Sequence, residues 1–324
     1  MMQTLAIIIP CYNEQEVLHE TYNRLSKKLD YLILTNKISS QSKVLFIDDG
    51  STDNTWNIIT SLHAKNKMVM GIKLSSNVGA QNTLYSGLMT ARHFADMIIS
   101  MDSDLQDDIN AIDTMIDEYN NGAQIVYGVR TTRKNDSFFK CTTAHLFYRC
   151  MKHMHTKIIY DHSDFRLMSK RAVNCLSKYT EVNLFLRGIV PLIGFKTAVV
   201  KYERNKRFAG KSKYPIHKMI SFAFDGITSF SIKPITFITK IGVVSLVISV
   251  CIIIYSLVTK IAGYPVAGWT SLMASIWFIG SIIIISIGII GIYIGKIYMQ
   301  SKHRPRYFVE TILTDTKIDK EKNR

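Results

Sequence analysis

The chain has 324 residues, 40 Lys and Arg against 25 Asp and Glu, and a formal net charge of +15. A hydrophobic fraction of 47% with only 17 Gly and 6 Pro excludes a disordered or collagen-like chain and a large low-complexity linker. Five Cys is an odd count with no CxxC and no Cys/His pair at zinc spacing, which excludes a disulfide framework and a structural zinc site and points to reduced cytosolic thiols.

In chain order, the apolar run at 4–9 predicts a buried strand ended by Pro10. It is too short for a signal peptide and has no basic region before it. Residues 14–34 carry apolar positions at helical spacing. A second strand is expected at 44–47, then a helix at 53–65 with Ser51, Thr52 or Asp53 as its cap. A third strand at 70–74, a helix at 81–95, a fourth strand at 97–101, a helix at 109–120 and a fifth strand at 125–129 complete the alternation. Such β-α repetition predicts a mostly parallel sheet with helices on both faces. Ligands then bind beyond the carboxyl ends of the strands. Four polar clusters fall there: Cys11-Tyr12-Asn13-Glu14, Asp48-Asp49-Gly50-Ser51, Asp102-Ser103-Asp104 and Gly128-Val129-Arg130. No GxGxxG or GxxxxGK[ST] loop occurs, so dinucleotide and P-loop sites are not expected.

The C-terminal third is different. No Asp or Glu occurs from Gly226 to Val309, and uncharged apolar runs cover 241–258 and 261–295. Two bilayer-spanning helices are expected at 235–258 and 270–295, joined by a short turn with Lys260, Gly263 and Pro265. Lys233 and Lys240 precede the first, and Lys296, Lys302, Arg304 and Arg306 follow the second, which puts both chain ends on the cytoplasmic side. Gly291 and Gly295 stand at GxxxG spacing, which chance or a helix interface explains equally well. The stretch 214–234, with Phe222, Phe224, Ile227 and Phe230, reads as interfacial helices lying on the bilayer.

Charge is distributed unevenly. Residues 1–129 hold 9 basic and 15 acidic side chains, 130–218 hold 20 and 5, and 219–324 hold 11 and 5. No helix-turn-helix, zinc-finger or RRM signature accompanies the basic stretch, so nucleic acid is not the expected partner. Asp102 and Asp104, one residue apart at a strand end, suit a hard divalent cation shared with substrate phosphates, or else favour the dipole of the next helix with Asp107 and Asp108. Asp49 suits a ribose hydroxyl or a base N–H, and Tyr12 a base. Arg207, Lys211 and Lys213 around Gly210 and Ser212 suit a phosphate group or an anionic membrane surface.

The motifs IIIPCYNE, IDDGSTDNT, DSDLQ and GVR resemble family 2 glycosyltransferases of the GT-A fold. SDFRLM, FLRGIVPLIGF, RFAGKSKY, DGITSFSIKP and KHRP extend the resemblance, over about residues 4–310, to the bactoprenol glucosyltransferase branch, which is related to dolichol-phosphate-mannose synthases. The resemblance implies a cytoplasmic GT-A (Rossmann-like) catalytic domain at 1–213, interfacial helices at 214–234, two transmembrane helices at 235–298 and a cytoplasmic tail at 299–324. It implies nucleotide contacts at Pro10, Tyr12, Glu14, Asp49 and Asp102, and a Mg²⁺ or Mn²⁺ site at Asp102, Asp104 and Gln106. Arg130 matches a phosphate-contacting arginine at the active site, Asp164 the proposed catalytic aspartate, and Arg207, Lys211, Ser212 and Lys213 the loop that meets the acceptor phosphate. The implied reaction moves a hexose, with inversion, from a nucleotide sugar to polyprenyl (undecaprenyl) phosphate. UDP-glucose is the first expected donor, ahead of UDP-galactose, UDP-N-acetylglucosamine and GDP-mannose. Whether copies of the chain associate is left open.

Asp164 is expected as a general base, as a group that orients Arg166 or the acceptor, or as a plain ion-pair partner of Arg166 or Arg171. A phosphomonoester has a second pKa near ~6, so the acceptor needs little help to lose its proton. Two positions depart from the branch: Ala80-Gln81 stand where relatives have Lys-Glu, and Asp107-Asp108-Ile109 where many have His-Pro-Pro. A processive polysaccharide synthase is disfavoured because none of Trp56, Trp269 and Trp277 sits in a QxxRW motif.

Overall fold

The computed structural model describes residues 2–131, 162–182, 184–203, 233–262 and 268–315. The chain divides into two compact units, Met1–Met219 with Arg304–Arg324, and Ile220–His303. The expected interfacial helices before residue 233 and the basic loop at 207–213 lie outside the described residues.

The first unit alternates strands and helices as far as β5: β1 (Leu5–Cys11), α1 (Leu18–Leu34), β2 (Lys43–Asp48), α2 (Thr55–Lys65), β3 (Val69–Leu74), α3 (Ala80–Ala91), β4 (Met97–Ser100), α4 (Ala111–Asn120) and β5 (Ile125–Arg130). Then come β6 (His162–Ser169), α5 (Lys170–Leu176), the single turn α6 (Leu186–Ile189) and β7 (Thr197–Tyr202). The strand β8 (Val309–Leu313) follows the two long C-terminal helices. The eight strands form one sheet in the order β7-β5-β6-β4-β1-β2-β3-β8. Pairs β1–β2, β1–β4, β2–β3 and β5–β7 are parallel, while β6 runs antiparallel to both β4 and β5, and β8 antiparallel to β3.

Strand β1 is apolar throughout because it is covered on both faces. Leu5, Ile7 and Ile9 pack into the core with Leu18, Leu25 and Leu29 of α1 and Ile112, Met115 and Ile116 of α4. On the other face α3 comes so close that a Cβ at Gly87 would stand 2.8 Å from Ile47 Cδ1. Each fully buried Ile or Leu contributes roughly 1.5–3 kcal/mol.

Three local expectations are corrected. Strand β1 does not end at Pro10 but pairs through Cys11, with Pro10 opposite Ile47 and Cys11 opposite Asp48. The residues that face β4 alternate along β1, and β4 pairs no further than Ile8 with Ser100. Pro10 falls on that side beyond the last pair, so its missing N–H forfeits no ladder bond. Helix α1 begins at Leu18, after a turn in which Val17 and Leu18 donate to Glu14 O. Helix α2 begins at Thr55, and its N-cap residue, Asn54, makes no side-chain cap bond. Ser51 and Thr52 join loops instead, with Ser51 Oγ accepting Asn13 N and Thr52 N donating to Asn13 Oδ1, while Asp53 Oδ1 accepts the N–H of Thr55, the first residue of α2, and its Oδ2 accepts Gln15 N.

The second unit contains α7 (Lys233–Ile261) and α8 (Trp269–Ser301). Among the described residues one stretch, Phe278–Ser301 of α8, is long and apolar enough to cross a membrane. Ile284 and Ile294 are 72% and 60% exposed there, a surface that suits lipid and not water. A Cβ at Gly291 or Gly295 meets nothing within 4 Å, so among the described residues the GxxxG pair brings no second backbone close.

Candidate active site

The parallel order β3-β2-β1-β4 reverses direction of growth at β1/β4, and in such a sheet the crevice for a ligand lies at the carboxyl ends on either side of that point. The first wall is built from the ends of β1 and β2. Pro10 is half-buried, and Tyr12 follows it with 38% of its surface open. Asn13 adopts φ 52°, a left-handed conformation that Asn tolerates, and turns the chain so that Glu14 N reaches Thr55 Oγ1 at 2.9 Å. Asp49 is buried, and its two carboxylate oxygens accept Val78 N at 2.8 Å and Gly79 N at 3.1 Å. Burial raises its carboxyl above the usual carboxylate range, partly offset by those bonds and by Thr83. Asp49 therefore fixes the loop ahead of α3 as well as lining the wall. Gly50 makes the approach possible. Its φ is +66°, and a Cβ there would stand 2.8 Å from Asn77 N and Ser76 C.

The floor follows β4. Asp102 opens to solvent, whereas Asp104 is buried and its Oδ1 accepts Gln106 N at 3.2 Å. Protein packed around the Asp102 carboxyl partly desolvates it, although the side chain keeps one side open to solvent. With the charges of Asp107, Asp164 and Asp104, and against Arg130, that pushes it up to about 7. The structure thus brings Asp102, Asp104, Asp107, Asp164 and Arg130 within electrostatic reach of one another.

The far wall depends on the direction of β6. Because β6 is antiparallel to β4, its amino end lies beyond the carboxyl end of β4, with Arg166 opposite Ser100. This carries Ser163 and Asp164 to the crevice. Ser100 Oγ donates to Asp164 O at 2.5 Å. The Asp164 carboxylate lies in a fork of two guanidinium groups. Oδ1 accepts Arg166 Nη2 at 2.6 Å and Arg187 Nε at 3.3 Å, and Oδ2 accepts Arg187 Nη2 at 2.9 Å. Arg166 is 2% exposed, so Asp164 supplies the counter-charge for a buried cation. Arg171, one of its candidate partners, instead lies 4.8 Å over the Phe195 ring.

Arg130 ends β5, half-buried, with Nε donating to Tyr202 Oη at 3.3 Å and Nη2 at 3.8 Å from Asp107 Oδ1. Burial works against its charge, but Tyr202 and Asp107 outweigh it and hold the guanidinium protonated. Tyr202, at the end of β7, also shares a 2.9 Å hydrogen bond with Ser163 Oγ.

A divalent cation is implied at the Asp102–Asp104–Gln106 corner, and the donors present fit it. They are hard oxygen ligands, and Asp102 stands in a field of like charges that a cation relieves. Among the described residues no three His, Cys, Asp or Glu side chains converge as a closed metal cage.

Asp107, Tyr202, Ser163 and Arg187 were not singled out from the sequence as site residues. Asp107 read as a helix-dipole residue, and Tyr202 reaches the site only because β7 joins β5 as the sheet edge. Arg207, Lys211, Ser212 and Lys213 lie outside the described residues.

The model of the family described as glycosyl transferase family 2 matches residues 6–177. The chain belongs to this family. It is 50% identical over 314 residues to the uncharacterized glycosyltransferase YkoT of Bacillus subtilis, covering 97% of this chain and 93% of the relative. It is 36% identical over 311 residues to the bactoprenol glucosyl transferase of Shigella phage SfV, covering 94% and 98%. A homologue of that transferase from an Escherichia coli K12 prophage is also 36% identical, covering 95% and 99%. Among solved structures, glucosyl-3-phosphoglycerate synthase of Mycobacterium tuberculosis with Mn²⁺, UDP-glucose and phosphoglyceric acid covers 68% of this chain and 76% of its own, at TM-score 0.45 and 12% identity. This family 2 glycosyltransferase is thus related over nearly its full length to bactoprenol glucosyl transferases.

Proposed function

We propose that this glycosyltransferase moves a hexose, first of all glucose from UDP-glucose, to polyprenyl phosphate at the cytoplasmic face of the membrane, with inversion at C1. The observation that carries this reading is the pairing of an acidic corner with a cationic wall in one crevice. Asp102 and Asp104 stand on the donor side, and Arg130 with the Asp164–Arg166–Arg187 fork stands opposite. Near-full-length relation to bactoprenol glucosyl transferases supports it.

In this reading Pro10, Tyr12, Glu14 and Asp49 receive the nucleoside. A Mg²⁺ or Mn²⁺ ion held by Asp102 and Asp104, with Gln106 beside them, supplies Lewis-acid stabilisation of the leaving diphosphate. Arg130, kept charged by Asp107 and Tyr202, faces the developing negative charge with a planar donor pair. The acceptor phosphate oxygen attacks C1, the C1–O bond to the diphosphate breaks, and the nucleoside diphosphate departs. The acceptor is mostly dianionic at neutral pH, so the attack needs no strong base. Asp164, already holding two guanidinium groups, then serves chiefly to aim them. The basic residues Arg207, Lys211 and Lys213, with Ser212, take the acceptor phosphate, and α7 and α8 both span the bilayer with the two chain ends cytoplasmic.

The test uses membranes containing the full chain, undecaprenyl phosphate and a panel of labelled nucleotide sugars with Mg²⁺ or Mn²⁺. Label from UDP-glucose in the lipid fraction is the expected result. Label from another sugar nucleotide corrects the donor, and label from none overturns the reading.

A further inference from the structure

Arg306 lies in the segment that follows α8, outside the residues the proposed reaction uses. It belongs to the same compact unit as the crevice. Its Nη2 donates to two carbonyls, Tyr179 O at 2.7 Å and Glu181 O at 2.8 Å. Its guanidinium stands 4.5 Å over the ring of Tyr85, a buried residue of α3. Tyr307 packs edge-on to the same ring, and Phe308 O accepts Ser75 N at 3.0 Å just before β8 joins β3. The tail is therefore held in register immediately after the contact.

One turn before Tyr85 on the same face of α3, Gln81 Oε1 accepts Leu186 N at 3.0 Å. Leu186 O in turn accepts Arg166 Nη1 at 3.4 Å. Helix α3 thus carries two anchors: Tyr85 for Arg306, and Gln81 for the residue next to Arg187. The segment from Tyr179 to Arg187 is pinned at its start by Arg306 and at its end by Gln81 and by the Arg187–Asp164 fork. Planar donation to two carbonyls combined with stacking on a ring needs a guanidinium, and an ammonium cannot reproduce it.

We propose that Arg306 is a positioning residue for the Asp164 fork: it acts through the 179–187 segment and Arg187, and the tail after the second long helix thereby sets the aim of the crevice. This inference rests on the glycosyl transfer proposed above. The full chain in membranes with polyprenyl phosphate and its labelled sugar nucleotide provides the test. Arg306→Ala is expected to lower kcat roughly 10-fold to 100-fold, since small misplacements cost that much. The KM for the sugar nucleotide should stay within about twofold, because no donor contact is lost. Arg306→Lys should recover only part of the rate. The double variant Arg306→Ala/Arg187→Ala should be no slower than Arg187→Ala alone, as expected when two residues act through one link. Nucleotide binding by calorimetry reports folding of each variant. If Arg306→Ala does not fold, Arg306→Lys carries the test through the same kcat-against-KM split. Wild-type turnover in the variants, or losses that multiply in the double variant, overturns the inference while wild-type transfer leaves the reaction intact. A wild-type chain that labels no lipid overturns the reaction and the inference with it.

Discussion

The hydroxyl of Tyr202 donates to Asp107 Oδ1 at 2.5 Å, joining the edge strand β7 to the loop that follows β4. Both residues are 3% exposed. The same hydroxyl accepts from Arg130 Nε and meets Ser163 Oγ, so one oxygen links three parts of the crevice wall. Burial and the adjacent Asp107 charge raise the Tyr202 hydroxyl far above the usual tyrosine range, and it stays protonated at any physiological pH. It is therefore a fixed donor to Asp107 and a neutral neighbour for Arg130.

Tyr202→Phe keeps the ring and its edge contact with Phe165 but deletes that donor. A buried Asp107 carboxylate oxygen then loses one hydrogen bond, which costs about 1–3 kcal/mol. Urea unfolding of the first compact unit within the full chain should show that loss. Turnover should fall as well, because Arg130 loses its anchor. Unchanged stability would mean that water replaces the hydroxyl.

The Asp102 carboxyl, pushed up to about 7, gives a pH signature. In the unfolded chain an Asp titrates near 3.9. Between these values the folded protein keeps a proton that the unfolded chain releases, so in the absence of metal Asp102 lowers stability as pH rises from about 4 to about 7, and its contribution is level above that. A divalent cation binds the ionised form. Mn²⁺ affinity, followed by electron paramagnetic resonance, should therefore rise steeply from pH 6 to pH 7.5 and then flatten. A flat profile over that range would place the cation away from Asp102.

Sequence reading placed the first wall and the floor of the crevice, and less of the far wall. The alternation up to β5 is local, and apolar runs such as Leu5–Ile9 announce buried strands. The carboxylates that follow them are found by position alone. What decides the far wall is long-range pairing. Strand β6 inserts between β4 and β5 in the opposite direction, and only this brings Asp164 beside Asp102. Arg187 sits in the FLRGIVPLIGF motif, whose pattern does not by itself point to Asp164, and Tyr202 enters from an edge strand with no motif of its own. Residues 309–313 return to the sheet next to β3, 235 positions after that strand ends at Leu74. No local period carries that information. Pro10 lies inside β1 for a related reason: proline stops a strand only where a neighbour needs its N–H.

Gly50→Ala tests how tightly the donor wall is built. At φ +66° an alanine pays about 1–2 kcal/mol for the left-handed conformation. The new Cβ also presses on the backbone at Ser76 and Asn77, which cannot swing aside as a side chain would. That loop leads to Val78 and Gly79, whose N–H groups hold Asp49. The expected outcome is a lower thermal midpoint together with weaker nucleotide binding by calorimetry. Normal nucleotide affinity in a destabilised protein would separate Asp49 from the donor site.

Asp164→Asn distinguishes charge from proton transfer. The amide is nearly isosteric, but it removes the negative charge facing Arg166 and Arg187 and presents an NH₂ where one guanidinium now donates. Turnover should fall by at least about 100-fold whether Asp164 accepts a proton or aims the arginines, since either role needs the carboxylate. The pH profile separates the two. A general base gives a rate that rises with pH through one ionisation of Asp164, lost in Asp164→Asn. An aiming role leaves the residual rate of Asp164→Asn with the same pH dependence as the parent, and Arg187→Ala then loses rate to a comparable degree. With Arg166 nearly sealed from water and both carboxylate oxygens occupied, the second pattern is the expected one. Near-normal turnover in Asp164→Asn would remove this residue from the reaction in either role.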